Sequence, residues 1–164
     1  MSQKQMTTDP AQTECTLNDD GRLIVAVGAV AGHTAQHAGL PEQVQQCLAA
    51  AVVRACRETF AVVHNNGVQP RQDPAIRVVV AGFPDRVEVM IEYSGAELPK
   101  SSLDAVLRCG VQEAKGGAGG PADDSRLDRV QFASFDGRSR LTLVKYRGTA
   151  RPEPNDEPQL RKFP

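Results

Sequence analysis

Cys56-Arg57-Glu58-Thr59-Phe60-Ala61-Val62-Val63-His64 is the stretch on which the fold turns. It closes a long helical pattern that opens at Leu40-Pro41-Glu42. Proline suits a first helical turn, where its missing N–H is not needed, and Glu42 suits the positive end of the helix. Val44, Leu48, Ala51, Val52, Ala55, Thr59 and Val62 recur at helical spacing and give one buried stripe. A second apolar line, Val52, Cys56, Phe60 and Val63, runs beside it. So wide an apolar arc fits a helix laid flat on a sheet that also lines a pocket. Asn65-Asn66-Gly67 supplies the stop.

Upstream, Leu23-Ile24-Val25-Ala26-Val27 reads as the start of a strand, followed by a short small-residue helix from Ala29 to Ala38 that ends at Gly39. Downstream, Ile76 to Phe83 and Arg86 to Tyr93 read as two strands joined at Pro84-Asp85. In the second, Val87, Val89, Ile91 and Tyr93 share one face and Glu88, Met90 and Glu92 the other. Ser101-Ser102-Leu103-Asp104 opens a short helix reaching Arg108, with serine as its cap. A glycine-rich loop follows from Lys115 to Pro121. Arg129 to Phe135 and Arg140 to Tyr146 then make a second hairpin about Asp136-Gly137.

Residues 1–20 are polar and aperiodic and read as a disordered lead-in, and residues 148–164 as a proline-rich charged tail. The domain between them, residues 21–147, is expected to be an α/β two-layer sandwich. Its sheet is mixed, mostly antiparallel, and covered on one face by helices.

At 164 residues the chain suits one core, and its apolar share of 40% suffices to build it. Aromatics are only 4%, so Val, Leu, Ile and Ala must fill that core. The charge is balanced at −1, which disfavours nucleic acid as a partner. No apolar run is long enough to span a membrane, and the N-terminus has no apolar segment of the secretory kind. A cytoplasmic protein is expected. Cys15, Cys47, Cys56 and Cys109 form no CxxC pair and no zinc spacing, so reduced thiols are expected and a structural metal is not.

The order of elements and several short motifs resemble the ATP-binding domain of anti-sigma factor serine kinases and histidine kinases, the GHKL or Bergerat-type fold. In that family the long helix reads Glu-Ala-x-Thr-Asn-Ala-x-x-His. Thr59, Ala61 and His64 agree, whereas Cys56 falls on the Glu and Phe60 on the Asn. The family uses the Glu to activate the attacking hydroxyl or water and the Asn to hold magnesium. A thiol is a poor base for an alcohol, and a phenyl ring offers no oxygen to a hard cation. Glu58 is no substitute, because two residues along a helix turn a side chain by about 200°.

The family's adenine motif, Asp-x-Gly-x-Gly, is matched by Tyr93-Ser94-Gly95-Ala96-Glu97, with Tyr93 in the Asp place and Glu97 in that of the second Gly. Gly117-Ala118-Gly119 resembles the phosphate-wrapping Gly-x-Gly, and Gly137-Arg138-Ser139 the closing Gly-x-Thr, with Ser139 at the Thr place. The resemblance implies His64, Tyr93, Gly95, Gly117, Gly119 and Ser139 as nucleotide-binding candidates, with no catalytic residue and no metal ligand. It leaves ATP or ADP open as a ligand and disfavours Mg2+.

Each residue also has an ordinary reading. His64 reads as a helix cap, Cys56 as an inert buried thiol, and Phe60 and Tyr93 as plugs in the former pocket. Arg71, Asp73, Arg77 and Asp85 read as solvated surface. The function implied is that of a bacterial regulatory protein acting by partner switching, with Mg-ATP chemistry lost or weakened. Its partner would be a sigma factor, a STAS-domain antagonist or a second copy of itself. The alternatives are an active ATP-dependent serine/threonine-protein kinase, a nucleotide sensor without turnover, or an unrelated α+β domain with the same pattern.

Overall fold

The computed structural model describes residues 11–65, 75–108 and 127–148. Along the chain these form β1 (Ala11–Asn18), α1 (Gly21–His37), α2 (Glu42–Asn65), β2 (Ala75–Gly82), β3 (Arg86–Ser94), α3 (Lys100–Arg108), β4 (Arg129–Phe135) and β5 (Arg138–Tyr146). The sheet has five strands in the order β1-β2-β3-β5-β4, and every pairing is antiparallel. The fold is the expected two-layer α/β sandwich.

One face of the sheet carries Ile76, Val78, Val80, Val87, Val89, Ile91, Tyr93, Leu141 and Leu143, all buried against the helices. The alternation expected for β3 holds. On the other face, Val79, Ala81 and Met90 form a smaller cluster with Phe83. Among the described residues no helix is long and apolar enough to cross a membrane.

Helix α2 starts where its sequence predicts, with Val44, Leu48, Ala51, Val52, Ala55, Cys56, Thr59, Phe60 and Val63 all buried, while Val62 of the expected stripe is only partly buried. Both hairpins also form where expected. At the second, Asp136 and Gly137 take φ of 47° and 74°, the two positive values a type I′ turn needs.

Three expectations are corrected. Leu23 to Val27 is helix, part of one continuous α1. Asp20 caps it, accepting a 2.9 Å hydrogen bond from the Arg22 N–H. Ile24, Val27, Gly28, Ala31 and Ala35 then face the core at helical spacing, while Leu23 and Val25 point outward. Five apolar residues in a row do not distinguish helix from strand, and here the cap decides.

Residues 11–18 of the expected lead-in are an ordered edge strand, paired from Ala11↔Gly82 to Asn18↔Ala75. In β1 only Leu17 is buried, so the polar composition reflects an edge position and not disorder. Finally, α3 opens at Lys100, over the Pro99 carbonyl, which accepts from Ser102 and Leu103. Ser102 does not cap it. The Ser102 hydroxyl donates to Glu58 at 2.7 Å, and Arg54 pairs with the same carboxylate, so Glu58 ties α2 to α3.

Helices α1 and α2 come into close contact at Gly28. A Cβ there would lie 2.6 Å from a Val53 methyl and 2.9 Å from the Ala49 carbonyl oxygen. Hydrogen as the side chain is what lets these backbones meet.

Candidate functional site

Register alone places Tyr93 directly across from Ser139 on adjacent strands. Past the end of β3 the chain turns at Gly95, whose φ of 142° suits glycine. The Ser139 hydroxyl donates to the Gly95 carbonyl at 2.7 Å, and the Tyr93 hydroxyl donates to the Ala96 carbonyl at 2.8 Å. Three residues singled out from sequence are therefore brought into one cluster. Their polar atoms are spent on holding the turn. Burial pushes the Tyr93 phenol above its ordinary value, while hydrogen bonding from Ser139 and Leu98 pulls it partly back.

Cys56 and Phe60 approach the same core from α2. Cys56 is 0% exposed, Phe60 2% and Tyr93 3%, and all three belong to one apolar cluster. Burial pushes the Cys56 thiol up to about 12, with a smaller contribution from Cys15. It stays protonated at neutral pH and is no nucleophile.

His64 is placed differently from its expected role. Its Nε2 lies 2.7 Å from an Asp19 carboxylate oxygen in the β1–α1 turn, where the cap reading had it facing the last carbonyls of α2. Both side chains are about half exposed. The pair latches the end of α2 to the turn that leads into α1. His64 thus does not join Tyr93 and Ser139 through any polar contact. Gly117 and Gly119 lie outside the described residues, as do Arg71, Asp73, Asn66 and Gly67.

A polar cleft of about 220 Å3 opens at this end of the sheet, lined by Thr16, Ala75, Ile76, Arg77, Glu92, Tyr93, Ser94 and Arg138. Among the described residues identified from sequence as nucleotide contacts, only Tyr93 borders it. Its volume is below the roughly 300 Å3 at which small-molecule pockets begin.

The reading of Arg77 as solvated surface is also corrected. It forms a two-pronged pair with Glu14 on β1, at 2.6 and 3.0 Å, and reaches Glu92 on β3 at 3.0 Å. Arg140 on β5 pairs with Glu92 from the other side, Nε at 3.0 Å. Burial raises the Glu92 carboxyl, and hydrogen bonds from Arg140 and then Arg77 more than reverse this, leaving it below its ordinary value. Strand parity puts these residues on the face away from the helices, a signal present in the sequence. Which strands would be neighbours was not. The ladder is charge-compensated and fastens β1 to the sheet.

No family model matches this chain, and no curated protein matches it.

Proposed function

We propose that this chain is a bacterial cytoplasmic regulatory domain of the anti-sigma kinase type, working by protein binding, whose nucleotide pocket is filled by its own side chains. One observation carries the reading. Cys56 and Phe60, at the positions where the resembling family keeps its Glu and its magnesium-holding Asn, are packed in one core with Tyr93. A protonated thiol and a phenyl ring supply neither base nor metal ligand. Phosphoryl transfer rests on positioning and charge stabilisation, and at these two positions neither has a source.

The helical layer supports a binding role. Leu23 and Val25 on α1 are 43% and 54% exposed. Beside them runs a groove of about 470 Å3 between α1 and α2, lined by Val25, Gly28, Ala29, Ala49, Ala50, Val53, Arg54 and Arg57. An exposed apolar groove rimmed by charge is the kind of surface protein partners use. The partner is a sigma factor, a STAS-domain antagonist or a second copy of the chain, and the mechanism is occlusion without a covalent step.

Titrating ATP calorimetrically into the purified chain, once with magnesium and once with EDTA, tests this. No heat is expected in either buffer. Magnesium-dependent binding would overturn the reading in favour of a kinase, and binding that persists in EDTA would replace it with a nucleotide sensor. Pull-down against the sigma factors and STAS-domain proteins of the same genome, with Val25→Glu as the weakened control, tests the partner.

A further inference from the structure

Helix α1 carries two exposed histidines one turn apart, and no role discussed above uses them. The Nε2 atoms of His33 and His37 lie 3.0 Å apart, with the ring planes at 87°. Among the described residues, neither ring pairs with a carboxylate. A spacing of four puts both rings on one helix face, the arrangement by which helices present two imidazoles to one metal ion. At present one ring must donate a proton to the lone pair of the other.

We propose that His33 and His37 form a two-imidazole chelate for a divalent transition metal, Ni(II) or Cu(II) in preference to Zn(II). Metal–imidazole bonds are about 2.0–2.1 Å long, so nitrogens 3.0 Å apart subtend roughly 90–97° at the ion. That angle suits the tetragonal and octahedral spheres of Cu(II) and Ni(II). A tetrahedral sphere would need the nitrogens about 3.4 Å apart. A metal entering this site uses both Nε2 lone pairs, and the shared proton passes through solvent to Nδ1 of the ring that carried it, so both imidazoles stay neutral and no proton is released overall.

The helix end adds to the case. His37 is the last residue of α1, where the partial negative charge of the terminal carbonyls favours a cation. Arg147 is the opposing charge on that side, its guanidinium packed against Gly39. It is solvent-exposed, and its repulsion is therefore screened. Among the described residues no group of three or more His, Cys, Asp and Glu side chains is placed to hold a metal, so water completes the sphere.

The test is calorimetric titration of Ni(II), and separately of Zn(II), into the untagged full chain with its thiols reduced. His33→Gln, His37→Gln and the double variant are compared with His64→Gln, whose ring lies elsewhere. Circular dichroism checks that each variant folds. One Ni(II) per chain is expected, bound tighter than Zn(II). Each single variant should lose about tenfold or more in affinity, because the second ligand no longer binds intramolecularly. The His64 variant should match the parent. Unchanged Ni(II) binding in the double variant, absent binding in the parent, or tighter Zn(II) binding through the same pair would overturn the proposal.

Discussion

Tyr93 and Ser139 face each other across β3 and β5, and each commits its hydroxyl to one of two consecutive carbonyls, Ala96 and Gly95. The turn that ends the central strand is thus held by side chains from two strands at once. Removing either hydroxyl strands a carbonyl beside a buried wall. Tyr93→Phe and Ser139→Ala should each cost about 1 kcal/mol in urea unfolding. Because both act on one turn, the double variant should depart from the sum of the two. Strict additivity would mean that the hydroxyls hold independent structures.

Rebuilding the family's catalytic pair should fail. Cys56→Glu with Phe60→Asn places a carboxylate and an amide where the parent residues are 0% and 2% exposed. The loss should be about 4 kcal/mol or more, since charge and polarity are buried without partners. Thermal melting reads the stability and calorimetry reads ATP. A stable variant that gains Mg-ATP binding would show that a pocket lies behind Phe60.

Glu92 makes stability depend on pH in a stated direction. Its carboxyl lies below the ordinary 4.5 in the folded chain. A carboxylate favoured by folding contributes fully above the unfolded pKa, and that contribution is lost as pH falls through the lower folded value. Stability should therefore fall on acidification below the ordinary value, and the Glu92→Gln variant should show a shallower fall. Urea midpoints measured across that window check it, and parallel curves would count against the ladder.

The α1–α2 crossing separates two glycines. Gly28→Ala meets a fixed carbonyl oxygen at 2.9 Å and should cost about 1–3 kcal/mol as the helices part. At Gly32 the nearest atom, the Gln45 carbonyl oxygen, is 3.4 Å from a Cβ. Gly32→Ala also gains about 1 kcal/mol in helix propensity, so it should be neutral or stabilising. Melting temperatures that fall equally in both would refute this reading of the contact.

The parts of the fold that were legible from sequence are those with local causes. Helix α2 announced itself through Pro41, Glu42 and a stripe running from Val44 to Val63. The second hairpin did so through Asp136-Gly137. Strand β1 was hidden because only Leu17 is buried, so no alternation exceeds the polar background. It becomes a strand through pairing with β2, nearly sixty residues on in register terms (Asn18↔Ala75). At the site, the family resemblance grouped Tyr93, Gly95 and Ser139, and strand register brings them together. The Arg77–Glu92–Arg140 ladder and the Asp19–His64 latch depend on which distant segments become neighbours, and composition carries no trace of that.

The polar strand at the sheet's margin has one more consequence. Behind it, β2 runs Ile76-Arg77-Val78-Val79-Val80-Ala81, a β-prone segment with a single charge. With β1 in place, the outer amides and carbonyls of that segment are saturated. With β1 peeled away, they would template another chain, and such a run is well suited to propagating the contact. A chain starting at Asp19 should therefore scatter light at concentrations where the full chain stays clear. In that sense residues 11–18 act as a sacrificial border, too polar to recruit neighbours and long enough to seal off a stretch that would.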